Sequence, residues 1–472
     1  MRTNLFQDRL TSASLSLDLT SLDSNDSGGG TGSIRVDTTD IDDLHLLRGA
    51  SLVLKPSHEM TATDVYGTVS SFSTTDNASL SVQAETVLNK LNVERTIPPF
   101  VGTRNNALTA LGTLAGVSFN TTGLPNPNVV WPGYRGSVWT YFKFMLAYHA
   151  LEATPQNATT IRLKSALRGE VAAPTNLTSS SQSVSDPNLA HKVTVNYYNN
   201  QSITNGQVYP VTHEDTQVFQ VAVDETFEAE IKLDAWLSSV NQPSPVNFLA
   251  SPDADYSGTS GVYAVSGSNG LPVTASEWVG LGGKLSVELT DDPSVVKLRI
   301  VGPRRTSYTE RFSPYSIAET AGSFTHNALR LTGTGVKYRQ ESIEILTGTD
   351  TDLGTDESGA TVDNPFISTL GDAYDNGIRT AQKYCGPENT VSVSVPPSAT
   401  PGDVLGTEFS AYYNVYRTRG LSQSASGADL SLETCTRFSH ANTRYTGKTF
   451  GQVGAANTGL TFGQFDIIPL RG

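Results

Sequence analysis

The amino-acid sequence predicts a mainly β protein with α/β insertions, and three observations carry that prediction. Short apolar runs alternate with polar residues at a period of two through most of the chain, clusters of Ser, Thr, Asn and Gly separate them, and only a few stretches switch to a helical period. Hydrophobic residues make up 37% and charged residues 17%, the balance of a loop-rich β protein rather than a disordered chain. At 472 residues the chain is long enough to bury several cores without disulfide or metal staples.

Taken in order, residues 1–85 read as short strands: Leu15, Leu17 and Leu19 alternate with Ser16 and Asp18, and 51–55 and 65–69 follow after turn signals. Gly28, Gly29 and Gly30 lie in a Ser/Asp/Gly-rich stretch. It lacks the order of a phosphate-cradling loop and no helix pattern follows, so a flexible hairpin connection is expected. From about 86 the period becomes helical. Thr103 is placed to cap a helix with Ala107, Leu108, Leu111, Leu114 and Ala115 on one face and Gly116 as its left-handed stop. A second helix is expected from about Gly136 to Ala153, with Val138, Phe142, Met145, Leu146 and Ala150 inward. Trp139 and Tyr141 beside them form an aromatic stripe that reads as core rather than as a ligand platform.

Strands resume near Lys192. Phe227, Ala229, Ile231 and Leu233 alternate with charged residues, and the runs Leu285/Val287/Leu289 and Val296/Leu298/Ile300 flank Asp291-Asp292-Pro293, a hairpin signature. Residues 238–270 read as a long surface loop and 350–363 as a second, acidic one. Asp363-Asn-Pro-Phe then reads as a helix start, with Asp as cap and Pro in the first turn. Ile367, Leu370, Ala373, Ile378 and Ala381 continue toward Gly386. Residues 390–395 and the remainder return to strands, and no repeat of fixed period appears.

Lys and Arg total 32 against 46 Asp and Glu, a net charge of −14 with no basic stripe, which argues against a surface that reads nucleic-acid sequence. Cys385 and Cys435 are too few for a secreted disulfide framework. The N-terminal residues carry no apolar signal region and no run reaches membrane-spanning length. Synthesis in the cytoplasm without membrane insertion is therefore expected, and the N-x-Ser/Thr triplets at Asn77, Asn120, Asn157, Asn176 and Asn200 read as chance matches.

Catalysis needs a nucleophile or an acid–base pair held by an orienting partner. The seven histidines (His45, His58, His149, His191, His213, His326, His440) include no i, i+4 pair for zinc, and neither cysteine has a C-x-x-C partner. The carboxylate groups Asp253/Asp255, Asp291/Asp292 and Asp350/Asp352/Asp356 are the candidates for glycoside hydrolysis. All sit in Gly/Ser/Thr-rich turns without apolar surroundings to raise a pKa, so solvated turn carboxylates are expected. Asp350 to Glu357 also resembles a calcium loop at two positions, but its glycine comes early and the twelfth-position Glu is missing. No catalytic, cofactor-binding or metal-binding residue is assigned, and the protein is expected not to be an enzyme.

Three stretches, in matching order, resemble tail-hub proteins of tailed phages, especially minor tail proteins of phages infecting actinobacteria. Residues 106–117 with Val130-Trp-Pro-Gly-Tyr-Arg-Gly-Ser-Val-Trp resemble the hub's helical second domain. The segment 283–300 resembles a hairpin recurring in minor tail proteins, and Asp363-Asn-Pro-Phe-Ile with Pro401-Gly-Asp-Val-Leu resembles the hub's last domain. The resemblance implies a homotrimer with two barrel-like tube domains per subunit, joining a sixfold tail tube to a threefold tip. It divides the sequence into a first β tube domain (1–85), an inserted α/β domain with two helices (86–175), a second β tube domain carrying the 238–270 loop (176–348), and a C-terminal α+β domain (349–472). The implied partners are further copies of the same protein, the distal tail protein or tail tube, the tape measure protein and other minor tail or tip proteins, in the virion, with DNA only in transit. Wall cutting is expected from another protein. A receptor-binding or polysaccharide-degrading tail protein is the alternative. A hub's bore is expected to be neutral to acidic, so that phosphates do not stick. Arg304-Arg305, the adjacent basic pair, is read either as a subunit contact or as plain surface charge.

Overall fold

The computed structural model describes residues 10–18, 32–38, 51–54, 65–75, 79–165, 179–185, 192–208, 219–221, 226–241, 284–301, 315–317, 331–346, 359–384, 388–395, 408–411, 414–424 and 427–434. The architecture is mainly β, in several sheets. It begins with β1 (Leu10–Asp18), β2 (Gly32–Thr38), β3 (Ser51–Leu54), β4 (Val65–Thr75) and β5 (Ser79–Thr86). The period-two pattern places Ile34 and Val36 of β2, Val82 and Ala84 of β5 and Val69 of β4 on a buried face, while Arg35, Gln83 and Glu85 are exposed between them. A single 3-10 turn, Val87–Leu91, follows directly and buries Val87, Leu88 and Leu91.

The inserted module comes next. Its elements are β6 (Glu94–Ile97), β7 (Phe100–Thr103), α1 (Arg104–Ala115), β8 (Ser118–Asn120), β9 (Asn128–Trp131), β10 (Tyr134–Ser137), α2 (Val138–His149), β11 (Leu151–Pro155) and β12 (Thr160–Ser165). The first helix has the expected bounds: Thr103 is extended at the N-cap and Gly116 takes the left-handed conformation. The Thr103 hydroxyl makes no cap bond, however. The loop before β9 supplies the acceptors, Pro127 O for the Arg104 N–H at 2.9 Å and Asn126 Oδ1 for the Asn105 N–H at 2.9 Å. The second helix is shorter than its sequence suggests. It stops at His149 because Ala150 turns left-handed and Leu151 onward pairs with β12, burying Leu151 to Thr154 in succession.

The rest comprises β13 (Ser179–Ser185), β14 (Lys192–Tyr198), β15 (Gln201–Val208), β16 (Phe219–Val221), β17 (Thr226–Lys232), β18 (Ala235–Val240), β19 (Lys284–Leu289), β20 (Val295–Val301), β21 (Tyr315–Ile317), β22 (Leu331–Lys337), β23 (Gln340–Leu346), β24 (Gly359–Asp363), α3 (Leu370–Tyr384), β25 (Glu388–Val395), β26 (Glu408–Ala411), β27 (Asn414–Ser424) and β28 (Gly427–Thr434). The expected hairpin is present, with Leu289 opposite Val296. Of the expected 238–270 loop, Ser238 to Val240 instead complete β18, and residues 242–270 lie outside the described residues. Of the expected acidic loop at 350–363, residues 359–363 instead form β24 parallel to β14, and 350–358 lie outside the described residues. The third helix starts at Leu370 rather than at Asp363, for a local reason given below.

Strand order in the largest sheet is β13-β25-β28-β27-β1-β2-β5-β4-β3, with β26 added to β27. Its middle joint pairs β1 with β27, Leu17 opposite Leu421, so strands from the two ends of the sequence share one sheet. Among the described residues this order runs from one edge to another without a pair that closes it into a barrel. Separate three-stranded sheets are β23-β14-β24, β15-β22-β18, β17-β20-β19 and β11-β12-β8.

Candidate functional site

Parts of the three stretches that together resemble tail hubs lie against the module at a joint, while Pro401 to Leu405 lie outside the described residues. From the module come β9, β10 and α2; from the hairpin, the turn between β19 and β20; from the third segment, residues 363–372. The turn holds its shape through Asp292, whose Oδ1 accepts the Ser294 N–H at 2.8 Å and the Ser294 hydroxyl at 2.7 Å. Its backbone oxygens are then taken by neighbouring segments. Leu237 N–H donates to Pro293 O and Leu233 N–H to Ser294 O, both at 2.7 Å, while the Thr96 hydroxyl of β6 donates to Asp291 O at 2.6 Å. Gly133 lies against this turn. A Cβ there would stand 2.8 Å from Pro293 Cγ and 2.9 Å from Trp236 Cβ, so the approach requires glycine.

On the other side of Trp131, residues 364–367 run between the module and β14. Asn364 is fully buried: its Oδ1 accepts the Phe366 N–H at 3.0 Å and its Nδ2 donates to Phe144 O of α2 at 3.0 Å. From the β14 side, Asn200 Nδ2 donates to Pro365 O at 2.9 Å and the Tyr198 N–H to Ile367 O at 2.7 Å. As a result, adjacent residues enter different cores. Phe366 packs edge-on against Tyr141 (4.8 Å between ring centres) and Trp131 (5.6 Å) in the module, and Ile367 joins Val193, Val195, Ile345, Val362 and Ala373. This Asx turn also explains the late start of α3. Thr369 Oγ1 accepts the Asp372 N–H at 3.1 Å and donates to Asp372 Oδ2 at 2.7 Å, a capping arrangement that Asp363, engaged in β24, does not provide. Asp372 in turn accepts the Tyr148 hydroxyl at 3.1 Å, tying α3 to α2.

The phenols of Tyr141, Tyr148 and Tyr338 at this joint each donate a hydrogen bond. Burial, then the nearby Asp372 carboxylate, pushes the Tyr148 phenol up to about 12. Burial raises Tyr141 further, and its hydroxyl donates to Pro132 O at 3.0 Å. Tyr338, its ring centre 4.1 Å from that of Trp236 in a tilted arrangement, is also held up to about 12, by burial and then by Asp234 and Asp292. His149, the histidine among the described residues, lies between Trp131 and Tyr148. Burial, then the Arg104 charge, lowers it to about 4, and its buried Nε2 has no hydrogen-bond partner.

Of the carboxylates considered for sugar chemistry, Asp291 is highly exposed and Asp292 is occupied in its turn. Asp253, Asp255, Asp350, Asp352 and Asp356 lie outside the described residues, as do Cys385, Cys435 and Arg304-Arg305. Among the described residues no group of three or more His, Cys, Asp or Glu is placed to hold a metal ion, and no helix is long and apolar enough to cross a membrane. The aromatic stripe is core as expected: Tyr141 and Phe142 are buried, with Trp139 packed against them. Nothing within its own segment signals the role of Phe366. The Thr369-x-x-Asp372 spacing is a readable signal of the helix start, overshadowed in the sequence by Asp363-Asn-Pro.

No family model matches the sequence, and no curated protein does. Solved structures similar to it include a tail protein from Neisseria meningitidis MC58, with 9% identity over 90% of this protein and 94% of that one at a TM-score of 0.42. The prophage tail protein gp18 from Listeria monocytogenes EGD-e shows 9% identity over 96% and 94%, with a TM-score of 0.39. The 43 kDa tail protein of prophage MuSo2 from Shewanella oneidensis shows 11% identity over 91% and 94%, with a TM-score of 0.40.

Proposed function

We propose that this protein is a structural subunit of a tailed-virus tail, acting as the hub at its tip. In this reading three copies close a ring that joins the sixfold tail tube to a threefold tip and lines the DNA channel. The observation that carries the proposal is the convergence just described. Parts of the three stretches that together resemble tail hubs meet at the module: Gly133 lies against Pro293 of the 283–300 hairpin, and Phe366 of 363–367 enters the core beside Trp131, so the resemblance falls on one physical unit. That unit consists of close-packed side chains and hydrogen-bonded turns, suited to holding the inserted module at a fixed angle to the sheets. The two tube domains of this reading draw on strands of the ten-stranded and three-stranded sheets, with closure supplied between copies.

Mass measurement of purified assemblies tests this proposal. A ring of three is expected. A protein that stays monomeric in the particle defeats it, and release of sugars from host envelopes by the purified protein transfers the assignment to a polysaccharide-degrading tail protein.

A further inference from the structure

We infer that Asn205 is a site of spontaneous covalent modification, at which the backbone nitrogen of Gly206 closes on the Asn205 carboxamide and converts it to aspartate and isoaspartate. The sequence holds three Asn–Gly steps, at 205–206, 269–270 and 376–377. The second lies outside the described residues, and the fold treats the other two in opposite ways.

Asn205 is exposed, with a φ of 49°. It sits where the pairing of β15 with β22 skips from Ile203 opposite Gly335 to Gly206 opposite Gly333, so the ladder passes over it. Its contacts are long and open to water: its N–H donates to Thr334 Oγ1 at 3.2 Å and its Oδ1 accepts from Asn241 Nδ2 at 3.2 Å. Neither encloses Asn205 Cγ, the carbon to be attacked, and Gly206 carries no Cβ to shield its nitrogen.

Asn376 is the built-in contrast. It is 5% exposed within α3, its Nδ2 donates to Asp372 O at 2.8 Å, and Gly377 is pressed against β14, where an added Cβ would stand 2.7 Å from Val195 Cγ2. That peptide unit swings only if the helix opens locally.

The chemistry needs only water. The Gly206 nitrogen bonds to Asn205 Cγ, the Cγ–Nδ2 bond breaks, and ammonia leaves with the proton that the attacking nitrogen gives up. Water then adds to either carbonyl of the five-membered imide and opens it, giving aspartate or isoaspartate. Both products bring a negative charge beside Thr334 and Asn241, and isoaspartate also inserts a carbon into the backbone of β15.

The test is to hold the purified full-length protein at mildly alkaline pH and map its peptides by mass spectrometry with isoaspartate detection. Conversion at Asn205 should outrun that at Asn376 by roughly tenfold or more, the cost of opening a packed helix. In denaturant the two rates should converge, since both steps share the same side group and the same following residue. Asn205→Gln should remove the acidic form arising at this position. Equal rates at the two steps in the native protein, or a gap that persists in denaturant, overturns the inference.

Discussion

The two cores that meet at residues 366–367 are built in opposite ways. The module's core draws all but one of its buried residues from 87–163, and the exception is Phe366. The neighbouring core is assembled from β14 and, much later in the sequence, from β23, β24 and the 367–373 segment, which follow one another closely. A core made from one continuous stretch forms with little loop closure, whereas one that packs β14 against a stretch much later in the sequence must first close the long loop between them. The module is therefore expected to form first, and residues 364–372 link the two cores.

The sharpest way to break this contrast is Phe366→Ala. It removes a ring buried among Trp131, Tyr141 and Tyr148 and should cost about 3–5 kcal/mol in a denaturant titration. Hydrogen exchange should quicken in β14 and β24 before it does in α1 and α2. The reverse order would mean that the module depends on the distant core.

A second effect arises inside the module from His149. Its folded pKa, near 4, lies below the ordinary value of 6.5. As pH falls through that window the unfolded state takes up a proton that the folded one refuses. Stability should be unaffected above about pH 7 and should decline by up to about 3 kcal/mol by pH 4, flattening below. His149→Phe should lessen this slope. An unchanged pH profile in the variant would show that other groups set it.

Gly112→Ala sharpens the comparison on the local side. Alanine favours an isolated helix by about 1 kcal/mol, but here its Cβ would stand 2.5 Å from Val117 O, so a net loss of about 1–3 kcal/mol is expected from thermal unfolding. A stabilised variant would contradict the packing of α1 on β8. The smallest effect belongs to Thr369→Ala, which removes the α3 cap and should cost about 1 kcal/mol, while Thr369→Asn should retain most of it.

What the sequence displayed follows the same division. The helical spacing of Ala107, Leu108 and Leu111, the stop at Gly116 and the Asp291-Asp292-Pro293 turn are local patterns, and each forms the predicted element. The joint is not local. Nothing around Phe366 announces that it fills a core more than 200 positions upstream, and nothing around Gly133 announces Pro293. Ala150 misled for a different reason: alanine ordinarily extends a helix, but the pairing of Leu151 with Ser165 outweighed that propensity. The β1–β27 pairing joins the two ends of the sequence, which no periodicity within either end encodes.

Locating the protein in an electron microscopy map of the intact particle tests the functional account most directly. The account predicts three copies closing a ring at the tail tip, with a bore that carries no continuous band of arginine and lysine. Finding the protein in the capsid or in a side fibre, or as single unconnected copies, would contradict it.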